Sequence, residues 1–164
     1  MERIVDIFGY SALYGDMYSS DTSWFGRVLL GEDNKFEGVV EDYDRTTHFL
    51  VFGEMTDKDI NLIKCSKKDF NMPYLFSVSK DKVGFYGDYF VKDLYNKIPL
   101  GECKLSVLPS EVTREETDFE KREIRRGIDI LKNDLGERGK DLLNDFDKNR
   151  KPNTIVKIKN NKTV

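Results

Sequence analysis

Short runs in which apolar and polar residues alternate occupy the middle of the chain, and polar turns separate them. The runs cover residues 24–30, 35–41, 47–53, 59–65, 73–79, 83–91 and 100–107. In the fifth run, Tyr74, Phe76 and Val78 share one face and Ser77 and Ser79 the other, which is the period of a half-buried strand. The turns are too short for the crossovers that parallel strands need, so the pattern predicts an antiparallel meander.

A glycine stands two positions after a large apolar residue in four of these runs. The triplets end at Gly26, Gly38, Gly53 and Gly87. Glycine inside a strand usually marks a bulge, a tight bend or a close approach of another backbone. Strands that bend at regular positions are strands that curl into a barrel. We therefore expect a small antiparallel meander β-barrel of seven or eight strands.

After Pro109 the apolar period lengthens to three or four residues, which predicts a long amphipathic helix. The segment Thr113–Glu116 has the form of a capping box at its start. Gly136 and Gly139 are expected to interrupt the helix. The stripe either docks on the barrel or pairs with a second copy as a coiled coil, which would give a homodimer through residues 114–147. Its members are Ile124, Ile128, Leu131, Leu135, Leu142 and Phe146.

These patterns predict a mostly β fold with a C-terminal α-helix, divided into four parts. The barrel domain is expected at residues 24–108 and the helical segment at residues 110–148. Residues 1–23 form either a lid over one end of the domain or an additional strand. Residues 149–164 form either a basic tail or a last strand that closes the sheet.

Charge is unevenly distributed along the 164 residues. The net charge is −3, yet six basic residues and no acidic residue lie between Lys148 and Val164, so the rest of the chain is strongly acidic. An acidic body argues against nucleic acid as a partner, because contacts to phosphate supply most of that affinity. The sequence has no signal-peptide core and no apolar stretch long enough to span a bilayer. We expect a cytoplasmic protein with reduced cysteines and no membrane partner.

No motif in the chain indicates catalysis, a metal or a cofactor. Neither glycine-rich nucleotide-binding motif occurs, and Cys65 and Cys103 lack the spacing of metal ligands. His48 is the single histidine and is expected at the surface or rim of the barrel. The acidic residues that could act in pairs lie in expected turns, where aspartate is favoured for local reasons: they are Glu41, Asp42, Asp44, Asp57 and Asp59. The sequence thus predicts no metal and no cofactor, and it favours a protein that is not an enzyme.

Two basic residues within the runs bear on the choice of ligand. Arg27 and Lys104 each stand inside a predicted strand. A basic side chain that points into a barrel would select an anionic ligand. We expect both side chains to point outward as ordinary surface charges.

Three features of the central region are shared with a known class of barrel. Trp24 opens the first run, and Asn34–Val39 forms a polar turn followed by an apolar-x-glycine strand. The pair Pro73–Val78 and Phe85–Phe90 is similar to a fifth and a sixth strand. In these features residues 24–107 resemble the calycin-like barrels, and among them the avidin type. The resemblance implies small-molecule binding in the cup, but biotin binders wall their ligand with several tryptophans and only Trp24 is present here.

Two functions of different class follow from these expectations. The first is a non-enzymatic binding module that holds a small ligand in the barrel cup. Its candidate interior residues are Trp24, Phe36, Phe52, Tyr74, Phe76 and Tyr89. The second is a small acidic protein of bacterial or phage origin that binds another protein through its surface or its C-terminal helix, as an inhibitor or immunity-type protein does. An enzyme would require His48 or a carboxylate to point into the cup.

Overall fold

The chain forms a closed barrel followed by one helix. The computed structural model describes residues 2–13, 22–43, 47–66, 73–82, 84–92, 97–109 and 114–149. The elements are β1 (Arg3–Leu13), β2 (Thr22–Leu30), β3 (Lys35–Asp42), β4 (His48–Met55), β5 (Asp59–Cys65), β6 (Tyr74–Lys80), β7 (Phe85–Lys92), β8 (Lys97–Pro109) and α1 (Arg114–Asn149). Each strand pairs antiparallel with the next, and β8 returns to pair with β1. The predicted fold class is confirmed.

The barrel begins earlier in the chain than the expected boundary at residue 24. Strand β1 lies between β2 and β8 and closes the sheet. Its residues Val5 and Ile7 point inward and are buried in the core. Residues 14–21 of the expected lid, Thr113 of the expected capping box and the tail at 150–164 lie outside the described residues.

Alternate side chains of the strands divide into two buried clusters on the two faces of the barrel wall. The inner cluster is formed by Val5, Ile7, Trp24, Val28, Leu30, Phe36, Val40, Phe49, Val51, Met55, Ile60, Leu62, Phe76, Val78, Tyr89, Cys103 and Leu105. The outer cluster is formed by Ile4, Leu29, Leu50, Phe52, Ile63 and Cys65 together with Ile124, Ile128 and Leu135 of α1. Because side chains alternate along a strand, consecutive residues contribute to different clusters.

The glycines of the apolar-x-glycine triplets lie where neighbouring strands approach most closely. A Cβ atom at Gly53 would stand 2.0 Å from the backbone oxygen of Asn61, and one at Gly87 would stand 2.0 Å from that of Ser77. Any larger residue would collide with backbone that is fixed by the strand ladder. The close-approach interpretation of these triplets is therefore correct, and it explains how the strands coil tightly enough to close.

Helix α1 docks on the outside of the barrel and contacts β2, β3 and β4. Ile124, Ile128 and Leu135 are buried there, so this part of the stripe packs on the barrel as one of the two alternatives predicted. Gly136 interrupts the helix with φ 64° and ψ −148°. The side chains of the later stripe residues lie outside the described part of the chain. Among the described helices, none has the length and apolar character to cross a membrane.

Ion pairs fasten α1 to the barrel beside this apolar contact. Arg27 on β2 lies 2.8 Å from Glu120, and Lys132 lies 2.7 Å from Glu37 on β3. Arg125 binds both Glu37 and the Glu2 carboxylate. Burial by itself would raise the pKa of Glu37, but Lys132 and Arg125 outweigh it and hold that pKa below its ordinary value. Part of the charged helix face is thus used to hold the helix in place.

Candidate functional site

The interior of the barrel differs in character between its two ends. We call the end near the turns at residues 31–34 and 56–58 the apolar end. Its inward side chains are Val5, Leu30, Phe36, Met55, Ile60, Val78 and Leu105. We call the opposite end, where β1, β3 and β5 finish, the polar end. There the inward positions include Ser11, Trp24, Asp42, Lys64 and Cys103.

The central charge of the polar end is Lys64, a buried cation. Its residue is only 4% exposed, because it shares the inward parity of Ile60 and Leu62 on β5. Its Nζ atom donates a hydrogen bond to Asp42 Oδ1 at 2.9 Å. The same ammonium lies 4.0 Å from the ring centre of Phe49 and 5.3 Å from that of Trp24. A carboxylate and two aromatic faces therefore replace the water that a buried ammonium loses.

Trp24 lies next to this cation, and the polar atom of its side chain is the indole nitrogen Nε1. The residue is 1% exposed, and within the described ranges its Nε1 is a buried atom without a hydrogen-bond partner. The indole lies directly over Gly9, where a Cβ atom would stand 2.0 Å from its Cε2 atom. Buried polar groups in folded proteins are nearly always paired, so a buried donor without an acceptor needs an explanation. A bound molecule that supplies the acceptor is one such explanation.

Further aromatic rings continue the wall away from Trp24. Phe76 meets the indole edge-on, with ring centres 5.5 Å apart. Tyr89 stacks on Phe76 at 5.4 Å, with an angle of 11° between the planes. Cys103 faces the same interior, where burial and the charge of Asp88 raise the pKa of its thiol to about 12. The thiol is therefore protonated and neutral near pH 7.

Four of the six candidate interior residues lie in the inner cluster, one packs beside it and one lies outside. Trp24, Phe36, Phe76 and Tyr89 belong to the inner cluster, and Tyr74 packs against it while partly buried. Phe36 lies toward the apolar end, away from Lys64. Phe52 was assigned to the interior wrongly: it faces outward and packs beneath α1. The physical reason is parity, since Phe49 and Val51 already point inward on β4, so the residue between Val51 and Gly53 must point outward.

The two basic residues considered in the sequence, Arg27 and Lys104, lie where they were expected, but the inward basic residue Lys64 was not identified. Arg27 points outward to Asp6 and Glu120. Lys104 also lies on the outer wall, with its Nζ 5.5 Å from the ring centre of Tyr86. The outward orientation expected for both is what the structure shows. The signal for Lys64 was present in the alternation of Ile60 and Leu62, which places residue 64 on the same face.

The candidate catalytic and metal-binding residues are not brought together in the interior. His48 is on the outer wall, with Nε2 3.5 Å from Glu41 Oε2. Asp59 accepts a hydrogen bond from the Ser79 hydroxyl at a strand end. Of the candidate carboxylates that are described, Asp42 is the one that meets the buried cation. The described residues contain no group of three or more side chains able to hold a metal.

The two cysteines lie on opposite faces of the barrel wall. Cys65 belongs to the outer cluster under α1, and Cys103 belongs to the inner cluster. Neither forms a disulfide and both are buried. Because they lie on β5 and β8, which are not neighbours, a disulfide between them would require the barrel to open.

Two cavities on the outside do not involve the polar end. One, of about 330 Å³, lies at the mouth of the apolar end beside Met55 and Phe85. The other, of about 640 Å³, runs along the basic face of α1 beside Arg122 and Arg126. Both are open to solvent, and the orphaned donor of Trp24 lies in neither of them.

Comparison with known proteins adds no relative to this picture. No protein-family model matches the chain, and no curated protein and no solved structure is significantly similar to it. The closed eight-stranded antiparallel barrel agrees with a calycin-like architecture.

Proposed function

We propose that this protein is a non-enzymatic binding module that holds a small molecule at the polar end of its barrel. The observation that carries the proposal is the buried indole Nε1 of Trp24, which lacks an acceptor beside the Lys64–Asp42 ion pair. Leaving a buried donor unpaired costs about 1–3 kcal/mol. A buried donor kept unpaired at that cost is what a binding site requires and a packed core does not.

The architecture supports the same function. Small eight-stranded barrels either fill their interior with side chains or hold one small ligand. The polar end combines aromatic walls, Trp24, Phe76 and Tyr89, with a few fixed polar groups, which is the usual composition of a small-molecule site. The avidin-type resemblance points in this direction, and the single tryptophan favours a ligand other than biotin.

Native mass spectrometry of the protein purified from its source cells tests the proposal. We expect a small additional mass that disappears when the protein is denatured, and its value would begin to identify the ligand. The same protein after unfolding and refolding is the control, because it should lack that mass. A bare monomer before and after denaturation would count against the proposal.

A second candidate function is binding to another protein through the outer wall. Phe8 and Phe25 stack on that wall with ring centres 6.4 Å apart, and Phe8 is 45% exposed. Tyr10 is exposed on β1, and Leu108 is exposed on the neighbouring strand β8. The same mass spectrum separates the two functions: a mass equal to two chains, or to this chain plus a foreign protein, would favour a partner over a ligand.

A further inference from the structure

We infer that the ligand is a neutral molecule with an apolar body and a carbonyl-type oxygen that accepts the hydrogen bond of Trp24 Nε1. This inference rests on the proposed function and specifies the class of ligand. It follows from three features of the polar end: the unpaired indole donor, the ion pair of Lys64 with Asp42, and the aromatic rings.

The hydrogen-bonding character of the ligand follows from the indole. An indole nitrogen only donates, so its complement must be an acceptor. The atom is buried and has no acceptor among the described residues. An oxygen placed there would remove the cost of an unpaired donor, whereas an aliphatic group in the same place would leave that cost in full.

The neutrality of the ligand follows from the ion pair. Lys64 and Asp42 are 2.9 Å apart, so the positive charge already has its counter-charge. The thiol of Cys103 is also neutral. Lys64 is the one cation among the described buried residues, so an anionic ligand would bring into the interior a charge that no second buried cation matches, and burying an unmatched charge is expensive.

The apolar body follows from the rings that line the polar end. Trp24 meets Phe76 edge-on and Phe76 stacks on Tyr89, so the three rings form one continuous aromatic cluster. Such surfaces favour flat or hydrocarbon partners through burial and ring stacking.

Three soluble probes of one size test the inference: acetophenone, ethylbenzene and benzoate. They present a neutral acceptor, no acceptor and an anionic acceptor on the same ring. We expect acetophenone to bind about tenfold more tightly than either of the others, the gain expected from pairing one buried donor. Trp24 is the single tryptophan, so the protein has one indole N–H resonance, and we expect acetophenone alone to shift it strongly downfield.

Three outcomes would overturn the inference without deciding the proposed function. Equal affinity for acetophenone and ethylbenzene would mean that Nε1 is satisfied otherwise, for instance by water. Preference for benzoate would mean that the site selects anions. Failure of all three probes to bind would also overturn the inference, and the proposed function would then stand or fall on the mass of the natural cargo.

Substitutions separate the two parts of the inference. Trp24→Phe should abolish the difference between acetophenone and ethylbenzene, because it removes the donor and keeps a ring. Asp42→Asn should remove the carboxylate that faces Lys64 at 2.9 Å and move the preference toward benzoate by about tenfold or more. Glu41→Gln is the matched control, since Glu41 is the adjacent carboxylate and faces outward toward His48. A Glu41→Gln variant that shifts the preference as Asp42→Asn does would contradict the assignment.

Discussion

The two ends of the barrel interior are formed by the same strands, but the side chains that line them differ in polarity. The apolar end is lined by side chains such as Ile60, Val78 and Leu105, which have no polar atoms and stabilise the fold by burial alone. The polar end places Lys64, Asp42 and the unpaired Nε1 of Trp24 inside the same barrel. The contrast indicates that the apolar end supplies stability, while the polar end gives up stability for groups that can recognise a ligand.

The largest effect should follow from a cavity at the apolar end. Ile60→Ala should lower the free energy of unfolding by about 4 kcal/mol, because Ile60 is fully buried between Met55 and Val78 and its neighbours can relax only in part. Urea denaturation measures this value. Ile60→Val is the control and should cost about 1 kcal/mol. A loss below about 1 kcal/mol for Ile60→Ala would mean that this end is not tightly packed.

The next effect concerns the buried ion pair at the polar end. Lys64→Ala should cost about 2–3 kcal/mol, because it strands a carboxylate that is only 22% exposed. Replacing both partners, by Lys64→Met with Asp42→Leu, should restore stability to within about 1 kcal/mol of the natural protein. The double-mutant cycle thus separates the cost of breaking the pair from the net contribution of the pair to stability. A double variant as unstable as Lys64→Ala would show that the pair is needed for folding.

A rise in pH above 9 should lower the free energy of unfolding through the buried thiol of Cys103 at the polar end. Its folded pKa of about 12 lies above the ordinary value of 9.0, so the thiol loses its proton more readily in the unfolded chain. The stability that it contributes is complete below pH 9 and is lost as the pH rises toward 12. The loss should reach about 1.4 kcal/mol for each pH unit in that window. Chemical denaturation of the natural protein and of Cys103→Ala at several pH values measures it, and equal slopes for the two proteins would refute it.

The smallest effect should come from the ion pairs on the outer wall, which serve as a reference for the buried pair. Glu37→Gln should cost about 1 kcal/mol at pH 7, because it removes the charge-assisted bonds to Arg125 and Lys132. The folded pKa of Glu37 is lowered, so its contribution is present above the ordinary value of 4.5 and is lost as the pH falls below it. The natural protein should therefore lose more stability than the variant between pH 4.5 and pH 3. A cost equal to that of Lys64→Ala would remove the distinction between inner and outer pairs.

Local patterns were sufficient for most of the fold. Alternation along β2 to β8 predicted seven strands, the short turns predicted their antiparallel order, and Gly26, Gly38, Gly53 and Gly87 predicted a barrel. These predictions work because side-chain period and turn length are properties of neighbouring residues. The strand at Arg3–Leu13 remained an alternative, since its pairing with β8 joins the two ends of the sheet and depends on a contact about a hundred residues apart in the chain.

The candidate site was predictable only in part. The aromatic residues Trp24, Phe76 and Tyr89 were assigned to the interior as members of one face of the predicted strands, and the structure places them in the inner cluster. Phe52 could not, because β4 is apolar on both faces and only the position of α1 shows which face is covered from outside. The alternation along β5 places Lys64 on the inward face with Ile60 and Leu62. The residue was not proposed as inward, because a charged residue at the end of a strand is expected to be solvated.

By itself, then, the sequence determined seven of the strands, their antiparallel order and the apolar face of the helix, because each depends on the spacing of residues within one segment. The tertiary structure alone decided that Lys64 meets Asp42 across 22 residues and that Trp24 lies over Gly9 with its donor unpaired. Those contacts depend on how the strands close and coil. Closure is a property of the whole barrel, so no single segment carries the information that creates the polar end.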